Sequence, residues 1–151
     1  MKHSYQMDTI KVPSALQTQK KIQEFFETFS SKRIQICPVK NILHSLGDKW
    51  SIMVMLHLGK HQVLRFNELK NNISGISQKM LTVTLRTLES HGLIARTIYP
   101  QIPPKVEYAI TEMGQEFLQH LVVMLNWACV NMDAISRMKK RKMREDLKNI
   151  V

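Results

Sequence analysis

Hydrophobic residues near the start of the chain repeat with the period of an α-helix. Between Ala15 and Ser31, Ile22, Phe25, Phe26 and Phe29 follow the i, i+3, i+4, i+7 spacing of one amphipathic stripe. The stripe predicts a helix that packs into a core or a dimer, a reading we favour over a ligand-binding box. Residues 1–14 are polar, show no such period and are interpreted as a loose arm.

A second group of helices follows. Pro38 suits the first turn of a helix, Gly47 ends that helix, and Asp48 is placed to cap the next one. The segment KWSIMVMLHL is apolar on nearly every side, which predicts a buried central helix followed by a break from Gly59 to Val63. A short helix should follow, with an inner face formed by Phe66, Leu69 and Ile73.

The segment GISQKMLTVTLRTLESHGLI predicts another amphipathic helix, for which Ser77 is the candidate cap. Its core face carries Leu81, Leu85 and Leu88. At 100° per residue, the opposite face carries Lys79, Val83 and Arg86. That outward face has no acidic residue before Glu89, whereas the polar face of an ordinary surface helix usually mixes both charge signs.

After Gly92 the hydrophobic period changes to that of a strand. One side of a strand is formed by Val106, Tyr108 and Ile110, and the segment LIARTIY can supply its antiparallel partner. The connection PQIPP contains three prolines, which predicts a stiff, protruding loop. Two or three strands with such a tip would form a wing.

The C-terminal segment predicts a long apolar helix. One stripe consists of Phe117, Leu121, Met124, Leu125, Ala128, Met132 and Ile135, and it is widened by Leu118, Val122, Val123 and Trp127. Such a helix covers its own domain and leaves surface for another subunit. The basic run Lys139–Arg144 is more typical of a solvated helix end or tail than of a second DNA contact.

Composition and charge narrow the class of protein. A chain of 151 residues with 44% hydrophobic residues can bury one domain core. The net charge of +10 suits a polyanion or an acidic surface as partner. Seven Lys and Arg residues against two acids lie from Lys60 to Lys105, an excess of +5, so much of the surplus lies in the segment that contains this helix and the predicted wing.

The N-terminus has no apolar signal region, and the longest apolar run, LVVML, is far shorter than a membrane span. The two cysteines show no disulfide-framework spacing. We therefore expect a soluble, cytoplasmic protein with no membrane partner.

A helix, a turn with glycine and a second helix form a helix-turn-helix, whose second helix lies in the major groove of DNA. Arg86 can make a paired contact to guanine, and Thr82 or Val83 can contact a thymine methyl group. The start of this helix offers free N–H groups to phosphate, together with Ser77, Gln78 and Lys79.

Six motifs occur in order: C-P-V at Cys37, G-x-K-W, L-R-F-x-E-L, G-I-S-Q-K-M-L-T, Y-P-x-x-P-P-x-V-E-Y and T-E-x-G. Over about Cys37 to Trp127 the chain thereby resembles the HxlR family of bacterial winged-helix transcription regulators, which have a MarR-like fold. The resemblance implies a homodimer through terminal helices, with two recognition helices reading an inverted repeat. It also implies that Arg65 and the wing around Lys105 approach the DNA backbone or minor groove. Val83 departs from the family, which often has a polar residue such as glutamine there.

Cys37 has two interpretations. Some family members sense electrophiles or oxidants through a cysteine in the C-P-V motif, and a helix N-terminus favours the thiolate. Against this, free cysteines are commonly small buried groups, which we weigh slightly higher. Cys129 is expected in the core, although a pairing of the two cysteines between subunits stays open.

His57 and His61 have the i, i+4 spacing of metal ligands, but Gly59 between them argues against a continuous helix, so we interpret His57 as a satisfied core histidine. We find no nucleophile-base spacing, glycine-rich phosphate loop or carboxylate pair, and we expect neither an enzyme nor a cofactor. A thiol-redox enzyme using Cys37 is disfavoured because Cys129 is its only potential partner.

The predicted fold is mainly α with a small two- to three-stranded β-wing. Residues 1–36 would form an arm and dimerisation helix, 37–112 the winged helix-turn-helix core, and 113–151 a dimerisation helix with a basic tail. The predicted function is a homodimeric transcriptional repressor that binds double-stranded DNA and answers to a small-molecule or electrophile effector. The alternative is a helical adaptor that uses the winged fold to bind an acidic protein.

Overall fold

The structure is a computed structural model that describes residues 14–31 and 46–148; the predicted helix start at Pro38 and the residue Cys37 lie outside that part. The chain divides into two units, Met1–Leu43 and His44–Val151. The first unit contains helix α1 (Ala15–Ser31), which has the bounds that the hydrophobic stripe predicted. Its side chains Ile22, Phe25 and Phe26 are exposed, and the side chain of Phe29 is outside the described part.

The second unit alternates helices with short strands. Its elements are α2 (Lys49–His61), β1 (Val63–Arg65), α3 (Phe66–Asn72), α4 (Gln78–Ser90), β2 (Ile94–Tyr99), β3 (Lys105–Ile110) and α5 (Glu112–Lys148). The three strands form one antiparallel sheet in the order β1-β3-β2. The predicted fold class, mainly α with a small β-wing, is confirmed.

Helix α2 lies at the centre of the second unit. Its side chains Val54, Met55 and Leu58 are fully buried, as predicted for a helix that is apolar on most sides. Asp48 caps its N-terminus, because the carboxylate Oδ1 accepts hydrogen bonds from the backbone N–H groups of Trp50 at 2.9 Å and Ser51 at 3.2 Å. Around α2 pack the buried residues Leu69, Ile73, Ile76, Leu81, Leu85, Leu88 and Leu118. Each such side chain contributes about 1.5–3 kcal/mol to the hydrophobic free energy of folding.

Gly59 lies inside α2, so the prediction that the helix breaks there is wrong. The helix continues to His61, and the turn into β1 is made at Gln62, which has a positive φ of 66°. The side chain of Leu118 on α5 occupies the space where a Cβ at position 59 would lie. Glycine at this position therefore permits close packing of α2 against α5 and does not act as a helix stop.

The predicted wing is present, and β2 and β3 pair in the expected antiparallel direction. Ile94 pairs with Ile110, Arg96 with Tyr108 and Tyr99 with Lys105. Strand β1 adds a third, outer strand through the pair Leu64 and Tyr108. Residues 100–104, which connect β2 to β3, are all exposed and form the tip of the wing.

The T-E-x-G motif fixes the start of α5 against the end of α4. The Thr111 hydroxyl donates a hydrogen bond to the Gly92 carbonyl at 2.6 Å and accepts one from the Gly114 N–H at 3.0 Å. The Leu93 carbonyl occupies the position that a Cβ on Gly114 would need. A larger residue than glycine at 114 would therefore push α5 away from the domain.

Helix α5 covers the domain with only its first turns. Leu118 and Leu121 are buried, and Phe117 and Leu125 are partly buried. Further along, Met124, Met132 and Ile135 are exposed, so the inward stripe is shorter than predicted. The predicted surplus of apolar surface is confirmed. None of the helices within residues 14–31 and 46–148 has an apolar stretch of the length that a membrane span requires.

Candidate nucleic-acid interface

Helix α4 is held by a cap at its start and by leucines along one face. The Ser77 hydroxyl accepts a hydrogen bond from the backbone N–H of Met80 at 3.1 Å, as predicted. The predicted core positions Leu81, Leu85 and Leu88 are at most 2% exposed. Thr84, which the periodicity did not single out, is buried with them. The rotation of α4 about its own axis is therefore set by packing.

Opposite the leucines, Lys79, Val83 and Arg86 are exposed; we call these three residues the α4 outer face. Val83 is 52% exposed, although it is apolar. Within the described part of the chain, neither Lys79 nor Arg86 forms an ion pair. Both cations are thus available to an external anion, and Val83 offers an apolar contact between them.

A narrow cleft separates α4 from the wing. It is lined by Thr82, Leu85, Arg86, Glu89, Arg96 and Tyr108. The Thr82 hydroxyl donates a hydrogen bond to the Gln78 carbonyl at 2.9 Å. Because the hydroxyl hydrogen is used in this bond, the hydroxyl oxygen of Thr82 can still accept a hydrogen bond from a ligand, and its methyl group can make an apolar contact.

Arg96 is a candidate residue that the sequence reasoning did not assign to the site. It is exposed on β2 and lines the cleft beside Arg86, directly across the sheet from Tyr108. The strand periodicity could have indicated it, because residues paired across an antiparallel sheet lie on the same face. Arg96 and Arg86 place two guanidinium groups at one edge of α4.

Arg65 and Lys105, the two predicted backbone contacts, lie on neighbouring strands and share one carboxylate. Lys105 Nζ is 2.6 Å from Glu107 Oε1, and Arg65 Nε is 3.8 Å from the same oxygen. The Lys105 ammonium also lies 4.7 Å from the centre of the Tyr99 ring. We call Arg65, Lys105 and Glu107 the wing-base cluster.

In the wing-base cluster, the negative charge of Glu107 offsets part of the positive charge of Arg65 and Lys105. The hydrogen bond from Lys105 is the main reason that the pKa of Glu107 lies below its ordinary value; partial desolvation opposes this shift, and Tyr99 and Arg65 add smaller lowering contributions. Glu107 therefore stays ionised near neutral pH and cancels one of the two positive charges. Arg65 keeps more freedom than Lys105, since its side chain is 54% exposed against 25%.

The histidine pair on α2 does not form a metal centre by itself. His57 and His61 stack with ring centroids 6.5 Å apart, and no group of three or more potential ligands occurs in residues 14–31 and 46–148. His57 Nδ1 is buried and has no hydrogen-bond partner among the described residues, so the expectation of a satisfied histidine is wrong. Burial, then His61 and Lys60, lower the pKa of His57, which favours the neutral ring.

The two cysteines differ in what the structure describes. Cys37, the candidate sensor, lies outside the described residues. Cys129 is a free thiol on the exposed side of α5, so the expectation that it is a core residue is wrong. The apolar stripe gave a wrong prediction for Cys129 because only the first turns of α5 pack on the domain.

A helix-turn-helix with an exposed, cationic second helix and a three-stranded wing defines a winged-helix DNA-binding protein. Comparisons with known proteins agree with this class. Residues 45–136 match the model of the HxlR-like helix-turn-helix family. The chain belongs to this family, and it is a transcriptional regulator and not an enzyme, as predicted.

Three similar proteins illustrate the relationship. An uncharacterized HTH-type transcriptional regulator, sll1512 of Synechocystis sp., is 41% identical over 74% of this chain and 78% of its own length. YdeP of Bacillus subtilis, also described as an HTH-type transcriptional regulator, is 38% identical over 78% of this chain and 91% of its own length. The solved structure of the redox regulator HypR in its reduced form superposes with a TM-score of 0.60, at 37% identity, over 66% of this chain and 98% of HypR.

Proposed function

We propose that this regulator is a cytoplasmic homodimeric repressor that reads an inverted-repeat operator with α4. The α4 outer face carries the proposal, because Lys79 and Arg86 are exposed and unpaired while Leu81, Leu85 and Leu88 hold the helix in place. Repression would follow from occlusion of a promoter. In a dimer, the two half-sites should lie one DNA turn apart or a multiple of it.

Within each half-site, the residues would divide the work between bases and phosphates. Arg86 is the candidate for a paired contact to guanine, and Val83 and the Thr82 methyl group are candidates for a thymine methyl. Ser77, Gln78 and Lys79 at the start of α4, and Arg65 at the wing base, would contact phosphates. Arg96 joins this set because it lines the same cleft as Arg86.

Binding of DNA is tested by fluorescence anisotropy with duplexes from the protein's own upstream region and with a scrambled duplex. Wild type should prefer the upstream duplex, and Arg86→Ala should lose most of that preference. Arg86→Lys is the matched variant, because it keeps the charge but not the paired hydrogen bonds to guanine. If Arg86→Ala binds the upstream duplex as wild type does, the adaptor for an acidic protein becomes the better reading.

The dimer would form through α1 and α5, whose apolar surfaces are exposed. On α5 these residues include Val122, Val123, Trp127 and Val130. Trp127 is 61% exposed, which is unusual for so large an apolar side chain and supports a covering partner. Sedimentation of Trp127→Glu should show a weakened dimer, whereas Gln115→Glu, which adds the same charge near the start of α5, should not. A monomeric wild type would contradict the proposal.

An electrophile or oxidant sensed by Cys37 is the proposed signal that releases the operator. The C-P-V motif, which places a thiol at a predicted helix N-terminus, and the similarity to a redox regulator support this role. Alkylation rates measured against pH in Cys129→Ser should rise well below pH 8.5, the region of an ordinary thiol pKa. A rate that rises only above that pH would make Cys37 an ordinary or buried thiol.

A further inference from the structure

The charge along α5 changes sign part-way through the helix. From Glu112 to Ser136 it contains three acidic residues and no Lys or Arg. From Arg137 to Lys148 it contains seven Lys and Arg residues and two acids, a net charge of +5 in 12 residues. We call this second part the basic helix end. It begins directly after residue 136, the last residue that the family model matches.

The cations of the basic helix end are concentrated on one face. Arg137, Lys140, Arg141 and Arg144 follow the i, i+3, i+4, i+7 spacing and line one surface depression with Glu145. Lys139 and Lys142 lie about 150° away from the centre of that face at 100° per residue. The face is therefore a structured row of four cations along about two helical turns, roughly 10 Å.

Most of these cations are not neutralised within the molecule. Arg141 Nε is 2.9 Å from Glu145 Oε1, in an exposed pair. In the part of the chain that the structure describes, Arg137, Lys140 and Arg144 have no ion-pair partner. All four side chains are exposed. Three unpaired charges on one face repel one another, so an anion with regularly spaced charges would be a favourable partner.

We propose that the basic helix end is a second DNA-binding surface, which contacts phosphates of the duplex that flanks the operator. Duplex DNA supplies a row of negative charges, and α4 would hold such a duplex on the same molecule. This inference rests on the proposed function, because it requires that α4 binds the operator. Contacts of this kind neutralise phosphates and add affinity regardless of base sequence.

The test uses the full chain and two duplexes. One duplex contains the operator alone, and the other carries the same operator extended by about 12 unrelated base pairs on each side, roughly one helical turn. The flanks should raise the affinity of wild type by about tenfold or more near 0.15 M salt, as expected for two released counterions per protomer. If the flanks do not raise the affinity although the short duplex is still bound selectively, only this inference is overturned. Failure to bind either duplex selectively would count against the proposed function itself.

A matched pair of variants shows which face is responsible. K140Q/R144Q removes two charges from the row, and K139Q/K142Q removes two charges from the opposite side; glutamine is a good helix former, so α5 should persist in both. K140Q/R144Q should lose the flank-dependent increase and flatten the salt slope by about two units per protomer, while the control should keep most of both. Equal losses in the two variants would mean diffuse attraction and overturn the proposal. Binding to phosphatidylserine vesicles that K140Q/R144Q alone abolishes, without any effect of the flanks, would assign the row to an anionic membrane surface instead.

Discussion

The α4 outer face and the wing-base cluster each carry two cations, but the two regions present them differently. Lys79 and Arg86 project from a helix and form no ion pair among the described residues, whereas Arg65 and Lys105 share Glu107 at 3.8 Å and 2.6 Å. The free pair can attract phosphates and bases at full strength. The compensated pair must release or share its carboxylate before it can do the same. A count of Lys and Arg residues therefore overstates the contribution of the wing.

The largest effect should come from the free pair. Arg86→Ala should weaken binding to the operator by about 1 to 3 kcal/mol, because a paired contact to guanine is lost. Binding to a scrambled duplex should change far less. Anisotropy titrations of both duplexes measure the difference, and equal losses on the two would reduce Arg86 to a phosphate contact.

Removing the Glu107 carboxylate should make the wing-base cluster resemble the α4 outer face, because each region would then carry two unpaired cations. Glu107→Gln frees Arg65 and Lys105 while keeping the size of the side chain, so binding to all sequences should strengthen. The salt slope should steepen by about one unit for each newly formed phosphate contact. Glu89→Gln is the matched control, since it removes an acid from the cleft that pairs with no cation in the described structure. An identical response to both changes would show that only net charge matters.

Two lysines allow a direct comparison of a free and a compensated charge. Lys79→Ala should flatten the salt slope by about one unit, as expected for the loss of one phosphate contact. Lys105→Ala should flatten it by clearly less, because Lys105 already neutralises Glu107. Titrations between 0.05 and 0.2 M salt, roughly the range over which such slopes are well defined, would test this. Equal slopes would refute the distinction between the two regions.

The smallest expected effect is a shift in the pKa of Glu107. NMR of its carboxyl carbon should show a pKa below the ordinary value in wild type, and Lys105→Ala should raise it more than Arg65→Ala does. Since the folded-state pKa is lowered, the cluster stabilises the fold above the ordinary pKa of a glutamate, and that contribution is lost as the pH falls through the lowered value. An ordinary pKa in wild type would mean that the cluster does not persist in solution.

Local rules made the helices and the recognition face predictable. Asp48 and Ser77 cap helices through bonds that span two or three residues, and the leucines of α4 follow from the helical period alone. The pairing of β2 with β3 was predictable for the same reason, because these two strands are neighbours in sequence and the apolar residues of β3 recur with period two. Capping, periodicity and turn residues thus determine most of the fold of the second unit.

Contacts between distant segments were not predictable. The role of Gly59 depends on Leu118, which lies 59 residues further along the chain. Glu107 joins Arg65 only because β1 pairs with β3. Cys129 looked like a core residue because periodicity shows which face of a helix is apolar and not whether a partner covers it. In each case, the missing information is tertiary.

In the proposed complex, the α4 outer face lies in the major groove, with Arg86 against a guanine. Methylation interference at guanine N7 tests it directly, because N7 is exposed in the major groove. For wild type, methylation of one guanine in each half-site should block binding, and for Arg86→Ala the same methylation should have little further effect. If methylated N7 leaves wild-type binding intact across the operator, or if both proteins respond alike, α4 does not read the major groove through Arg86.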